Sequence, residues 1–181
     1  MTTSTNETPT LLKPGSWALD TQHSSVGFSI RHLGIAKVRG SFTAFDTEFH
    51  VDETGAATIG ATIHLNSFDT GNAARDEHVR TADFLDVANR PTLTFRATGP
   101  VRIAENFTVD GEVWLGERST PVTLEVEWGG VQELPGAGAR HAGFSAVGSV
   151  DRLALGVGAA APGLLSNSVK VELEIQLVEP A

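Results

Sequence analysis

The amino-acid sequence predicts an all-β protein, an antiparallel barrel of about eight strands with one short helical insertion. From Trp17 onward, apolar and polar residues alternate with a period of two, which is typical of strands with one buried face. The alternating segments follow one another through short connections, as in antiparallel sheets whose neighbours pair in sequence order. Closing such a sheet on itself buries the apolar face and removes exposed edges.

The alternating segments define the predicted strands. In the first, Val26, Phe28 and Ile30 share one face, opposite polar neighbours. Residues 38–49 are predicted to form one long strand, and Gly40 inside it suggests a bulge or sharp bend. The remaining strands are expected, in chain order, at residues 58–65, 92–103, 107–115, 122–128, 144–150 and 169–177.

Residues 72–85 break the pattern and predict the helical insertion. Asn72 can cap the helix, and Asp76 with Arg80 forms an i,i+4 pair on one face. Asp83 could cap a further short turn, and Pro91 stops the excursion before the next strand. We expect the insertion to lie across one mouth of the barrel.

The chain of 181 residues fits one domain. We expect the barrel to occupy residues 16–179, and residues 1–15 to form a disordered, Thr/Ser-rich amino-terminal tail. The tail lacks the basic and apolar regions of a secretory signal, and no apolar run reaches the roughly 20 residues that cross a bilayer. The default expectation is a soluble, cytoplasmic protein without stable membrane insertion.

Charge and cysteine content argue against several functions. A net charge of −9 argues against a nucleic-acid partner, because phosphate binding requires clustered cations, and disfavours a stable dock on an anionic membrane. There is no cysteine, so thiolate zinc sites and thiol nucleophiles are impossible. The six histidines lack metalloprotease spacing and an accompanying carboxylate cluster, so no metal site is predicted.

Asp20, His23 and Ser24 lie close together in the sequence and could suggest a hydrolase triad. In an extended strand, however, neighbouring side chains point to opposite faces, so His23 and Ser24 should diverge. The sequence also lacks a Gly-x-Ser-x-Gly motif. Ordinary structural roles are favoured for these residues.

Two groups of polar residues could contact a ligand. His32 follows Phe28 and Ile30 at a spacing of two residues, so it should point into the barrel as they do. A buried imidazole needs a hydrogen-bond partner, which would be either a neighbouring side chain or a ligand head group. In the insertion, Arg75, Asp76 and Arg80 would either tie the helix to the barrel rim or meet a polar or anionic head group.

The predicted interior mixes large residues, such as Phe28 and Phe95, with small ones, such as Ala61 and Ala146. The large residues could fill the barrel, or the small ones could leave a tunnel. A barrel of about eight strands permits either outcome. Alternation alone therefore leaves a packed core and a ligand cavity both open.

Several sequence blocks, in the same order, resemble the YceI-like proteins. Residues 17–34 (WALDTQHSSVGFSIRHLG) are similar to the opening of that family, and residues 38–42 (VRGSF) to its next block. Further similar blocks are DTGN at 69–72, RDEH at 75–78, ADF at 82–84, PTLTF at 91–95, PVTL at 121–124 and AGFSA at 142–146. The resemblance covers nearly the whole chain, from Trp17 to Leu177.

The resemblance implies an extended, lipocalin-like barrel that carries polyisoprenoids, isoprenoid quinones or fatty-acid-like lipids, and it implies a homodimer. It brings no catalytic residue and no required cofactor, so we expect a carrier, store or scavenger rather than an enzyme. The alternative is a stress-response or partner-binding barrel with a packed interior, and an esterase or isomerase of apolar substrates ranks last. The candidate ligand-binding residues are Val26, Phe28, Ile30, His32, Phe42, Ile63, Arg75, Asp76, Arg80, Phe84, Phe95, Trp114 (which breaks parity with Val113 and Leu115) and Phe144.

Overall fold

The computed structural model describes residues 12–136, 138–159 and 163–181, and these residues form mainly β structure. One α-helix, α1 (Ala73–Arg80), and a 3-10 turn (Leu65–Ser67) interrupt the strands. The strands are β1 (Gly15–Ser16), β2 (Ala18–Leu19), β3 (Ser25–His32), β4 (Ala36–Phe42), β5 (Phe45–Val51), β6 (Ala56–His64), β7 (Phe68–Asp69), β8 (Thr92–Ala97), β9 (Val101–Arg102), β10 (Asn106–Leu115), β11 (Arg118–Glu133), β12 (Arg140–Asp151) and β13 (Ser168–Val178).

The described strands form one antiparallel sheet of 13 strands. Its order is β1-β5-β6-β8-β10-β11-β12-β13-β3-β4-β7, with β2 paired to β13 and β9 paired to β6. The sheet curls into a half-barrel. β4 and β5 are neighbours in sequence but lie near opposite edges of the sheet, where only the two-residue strands β7 and β1 flank them. The all-β, antiparallel class and the single helix are confirmed. The strand count exceeds the predicted eight partly because several strands span only two residues.

The predicted single strand at residues 38–49 is wrong. The chain leaves the ladder at residues 43–44, where Thr43 N donates to Ser67 O (3.4 Å) and His64 N donates to Ala44 O (3.0 Å). Gly40 also makes no bulge, because its pairing with Phe28 lies within a continuous register. Instead it permits close packing, since a Cβ at Gly40 would lie 2.4 Å from Phe28 Cζ.

The amino-terminal segment closes one end of the half-barrel. β1 pairs with β5, β2 pairs with β13, and Trp17 N donates to Phe49 O between them (2.9 Å). Residues 15–19 thus cross from one edge of the sheet to its middle. Side chains at this end are tightly packed, since Val51, Ala57 and Ala142 are 0% exposed.

The predicted boundary of the tail needs a correction. Residues 1–11 lie outside the described residues, but residues 12–15 belong to the folded domain. Leu12 is 3% exposed within the same core as Trp17, and Gly15 pairs with Val51. The apolar segment around Leu12 is too short to show the alternation from which the strands were predicted, so the sequence did not reveal its burial.

Candidate functional site

The half-barrel encloses a cavity of about 730 Å³ lined mainly by apolar side chains. Inward-facing residues such as Phe28, Phe95 and Ile175 are only half-buried, whereas those at the closed end are fully buried. The interior is therefore hollow over much of its length. The alternation of the strands left a packed core and a ligand cavity both open, and the structure has the cavity.

Most of the candidate ligand-binding residues lie on the cavity wall. Those that line it are Val26, Phe28, Ile30, His32, Phe42, Ile63, Arg75, Phe84, Phe95 and Phe144. Period-two alternation brought the apolar members of this set together, because inward positions of neighbouring strands share one face.

Trp114 does not line the cavity, which corrects its predicted position. On β10 its neighbours Val113 and Leu115 are 4% and 0% exposed and face inward, whereas Trp114 is 45% exposed. Since successive side chains in a strand alternate faces, Trp114 must point outward. Its cross-strand partners are Thr94 and Ser119.

Two clusters of aromatic rings shape the cavity. Phe28, Phe42 and Phe68 form one cluster, with ring centroids 5.3 to 5.7 Å apart. Deeper inside, Phe144 packs against Phe49 at 5.6 Å and against Phe107 at 6.4 Å. These contacts give the wall a defined shape, because ring pairs at such distances favour offset-stacked and edge-to-face arrangements.

The cavity reaches the surface between α1 and the hairpin that joins β3 to β4. His32, Ala36, Arg75 and His78 mark this mouth, since each lines the cavity and is also exposed. His78 Nε2 lies 3.1 Å from Asp83 Oδ2, and its ring packs edge-on against Phe84 at 5.2 Å. The predicted insertion thus lies beside a mouth.

The amino-terminal cap of α1 is as predicted, but its predicted ion pair is absent. Asn72 Oδ1 accepts a hydrogen bond from Arg75 N at 3.0 Å. Asp76 accepts hydrogen bonds from the backbone and hydroxyl of Thr70, and Arg80 donates to Phe68 O, instead of pairing with one another. Both side chains turn back to the segment preceding the helix, whose backbone groups need partners.

Asp76 and Arg80 therefore fasten α1 to the rim and do not line the cavity. Burial raises the pKa of Asp76, but the Thr70 hydrogen bonds and the charges of Arg80 and Arg75 outweigh it and hold that pKa below its usual range. The carboxylate consequently stays ionised at neutral pH, which suits its role as a hydrogen-bond acceptor.

Arg152 is a cavity-lining residue that the sequence analysis missed. It follows β12, is 4% exposed and borders the mouth. Its guanidinium donates to the carbonyls of Ser166 (2.8 Å), Val157 (2.9 Å), Gly158 (3.1 Å) and Leu165 (3.0 Å). One signal was available, because Arg152 continues the inward parity of Phe144 and Ala146.

Thr47 places an unpartnered hydroxyl in the wall. On β5 it lies between the inward-facing Phe45 and Phe49, and its buried Oγ1 has no hydrogen-bond partner among the described residues. A buried polar group without a partner costs about 1–3 kcal/mol.

We expect Thr47→Val to raise the free energy of unfolding of the lipid-free protein by about 1 kcal/mol, because valine keeps the shape and removes the orphan hydroxyl. Urea denaturation measures the change. Thr58→Val, which substitutes an exposed threonine on β6, should change it by less than about 0.5 kcal/mol. Equal effects of the two substitutions would show that β propensity, not the orphan hydroxyl, is responsible.

Asp20, His23 and Ser24 do not form a triad. His23 Nδ1 lies 2.8 Å from Asp20 Oδ2, and this hydrogen bond lowers the pKa of Asp20. Ser24 Oγ instead accepts from the backbone N of Gln176 at 2.9 Å. The hydroxyl of Ser24 thus holds the chain against β13 and has no histidine partner among the described residues.

Comparison with known proteins identifies the family. A family model described as the YceI-like domain matches residues 17–177. The chain belongs to the YceI-like family. Protein YceI of Salmonella heidelberg is 40% identical over 131 residues, which are 71% of this chain and 68% of that protein.

Solved structures of YceI-like fold agree with this assignment. The Campylobacter jejuni YCEI protein superposes with a TM-score of 0.73 at 25% identity, over 83% of this chain and 90% of its own. A polyisoprenoid binding domain from Saccharophagus degradans gives a TM-score of 0.68 at 17% identity, over 92% and 99% respectively. At that identity, the second likeness shows the fold alone. In the described part of the chain, no helix has the length and apolarity needed to span a membrane.

Proposed function

We propose that this YceI-like protein binds one long apolar amphiphile, with the tail in the cavity and the head group at the mouth. The ligand class is a polyisoprenoid, an isoprenoid quinone or a fatty-acid-like lipid, and the protein acts as its carrier, store or scavenger. The observation that carries the proposal is the apolar cavity of about 730 Å³. The polyisoprenoid binding domain from S. degradans, which has the same fold, supports the choice of ligand class.

The size and chemistry of the cavity suit such a ligand. Ligand sites typically measure about 300–1,000 Å³, with a predominantly apolar lining and a few polar groups that orient the ligand. Each buried methylene contributes roughly 0.8 kcal/mol before ordering costs, so a tail of several isoprene units would bind tightly.

The polar groups at the mouth favour a head group that accepts hydrogen bonds. His32, Arg75 and His78 are exposed there, and the buried cation of Arg152 lies behind them with no carboxylate partner among the described residues. Glu48 is the acidic residue of the lining. A carboxylate, phosphate or carbonyl would therefore meet donors and positive charge.

A binding role without catalysis is proposed because the described residues that line the cavity include no serine or cysteine. The hydroxyl of Thr70, which does line the cavity, donates to Asp76 as part of the contacts that fasten α1 to the rim. Among the described residues, no three His, Asp or Glu side chains come together in the way that a metal ion requires. The homodimer and the cytoplasmic location expected from the sequence stay predictions.

Mass spectrometry of organic extracts of the purified protein tests the proposal, together with titration of the lipid-free protein with a fluorescent long-chain fatty acid. We expect a co-purifying long-chain lipid and one probe site per chain. Neither a lipid nor saturable probe binding would overturn the proposal and favour the partner-binding alternative.

Arg75 provides a test of the head-group position. We expect Arg75→Met to weaken binding of a long-chain fatty acid up to about fivefold, because an exposed charge pair contributes about 1 kcal/mol at most. Binding of the matching long-chain alcohol should stay unchanged. Arg102→Met, which removes an exposed arginine outside the cavity lining, is the control and should alter neither affinity. Equal losses for acid and alcohol would place the head group elsewhere.

A further inference from the structure

We infer that the hairpin joining β3 to β4 docks the cavity mouth transiently on an anionic membrane surface, where the ligand is exchanged. The inference rests on the proposed function, because it concerns how a membrane-resident amphiphile reaches that cavity.

Exposed apolar side chains border the mouth. Leu33 and Ile35, at the tip of the hairpin, are 52% and 82% exposed, and Leu164 beside them is 47% exposed. Leu33 N donates to Leu164 O at 2.8 Å, which joins the three residues into one patch that we call the apolar lip. Single exposed apolar residues are ordinary, whereas a contiguous patch indicates an interaction site.

The apolar lip is continuous with the cavity wall. His32, which directly precedes Leu33, forms a β-bridge with Leu165, the neighbour of Leu164. Both bridged residues line the cavity. A lipid tail passing the lip would therefore move from one apolar surface directly to another.

The backbone at Leu33 argues against a purely structural role for this side chain. Leu33 has φ of 55°, in the left-handed region where glycine, asparagine and aspartate are favoured. A leucine there costs conformational energy and also exposes its side chain to water. Such costs at one position are typical of functional sites.

Cations flank the apolar lip. Arg31 pairs with Lys37 across the hairpin, and Arg39 follows on the same outer face. All three are exposed, and within residues 12–136, 138–159 and 163–181 none forms an ion pair with a carboxylate within 4.0 Å. Glu172, the acid beside them, pairs with Lys170 at 3.0 Å.

This arrangement is complementary to anionic lipid, although the net charge of −9 predicted the opposite. At about 0.1 M salt, charges more than about 10 Å apart are largely screened, so the hairpin's own cations dominate where it meets a membrane. Apolar side chains between cations are the combination that holds a peripheral protein at a lipid interface.

Co-sedimentation of the full chain with vesicles tests the inference. We expect binding to phosphatidylglycerol–phosphatidylcholine vesicles, weakened by salt, and little binding to phosphatidylcholine alone. Arg31→Gln with Lys37→Gln should lower the affinity by about twenty-five-fold, since each cation near the surface contributes about fivefold.

Leu33→Asn with Ile35→Ser should also lower the vesicle affinity at least tenfold, although asparagine suits the backbone at residue 33 and preserves the turn. The same variant should bind the fatty-acid probe from solution with unchanged affinity, but it should take up the probe from vesicles more slowly than the wild type. Leu134→Ser, which removes an exposed leucine near the opposite end of the half-barrel, is the matched control and should change neither measurement.

Probe binding without vesicle binding would overturn the inference and leave the proposed function intact. Absence of probe binding would instead remove the proposed function, whatever the vesicles show. Sedimentation velocity tests the alternative that a second copy of the chain, rather than a membrane, binds the apolar lip. A wild-type dimer that becomes monomeric in the lip variant, with no vesicle binding by either, would make the lip a dimer interface and overturn the inference.

Discussion

Arg152→Met is expected to lower the free energy of unfolding by about 3 kcal/mol or more. The substitution leaves the carbonyls that Arg152 now satisfies without their donor, and each buried group left unpaired costs about 1–3 kcal/mol. Methionine retains most of the packing of the arginine stem, so the loss reports on the hydrogen bonds.

Urea denaturation followed by tryptophan fluorescence measures this loss, since Trp17 is 2% exposed and reports on the closed end. Arg152→Lys should be intermediate, because one ammonium cannot reach all the carbonyls of a planar, forked group. Arg102→Met is the control, since exposed Arg102 makes one long hydrogen bond, at 3.4 Å to Thr54 O, and its loss should cost less than about 0.5 kcal/mol. A similarly small change at Arg152 would contradict a structural role for its hydrogen bonds.

Ala146→Phe is expected to abolish most ligand binding without unfolding the protein. Ala146 faces the cavity from β12, so a phenyl ring can extend into space that a tail would occupy. Displacing as few as two methylenes costs about 1.6 kcal/mol, which is a loss of more than tenfold in affinity.

Val147→Phe is the matched control for this prediction. Val147 is the next residue of the same strand, and its side chain is 39% exposed on the outer face. Titration with the fluorescent fatty acid should separate the two variants, whereas circular dichroism should find both folded. Equal probe affinity in the two variants would mean that the tail does not pass Ala146.

The cavity wall could be predicted from the sequence because strand geometry is local. Once a segment such as 25–32 is extended, its side chains alternate between faces, and neighbouring strands add their inward faces to the same wall. Trp114 illustrates the same rule, because its parity placed it outside and its inclusion among the lining residues went against that parity.

The features that the sequence did not predict depend on contacts between distant segments. The break at residues 43–44 follows from hydrogen bonds to residues 64 and 67, and Leu12 is buried by the sheet that it closes. Asp76 turns to Thr70 rather than to Arg80 because the rim offers it donors that helix spacing does not reveal. The inward orientation of Arg152 could be predicted from its two-residue spacing with Phe144 and Ala146. A buried arginine bound to carbonyls is, however, too unusual to expect from that spacing alone.

The amino-terminal segment that closes the far end would also determine how the proposed ligand enters and leaves. A one-headed amphiphile entering a blind chamber has a single order of loading, tail first, and leaves by the same route, head first. Its head group therefore stays at the surface throughout residence. A recipient membrane or protein could recognise the proposed ligand there before release begins, so selection and unloading would both take place at the mouth beside α1.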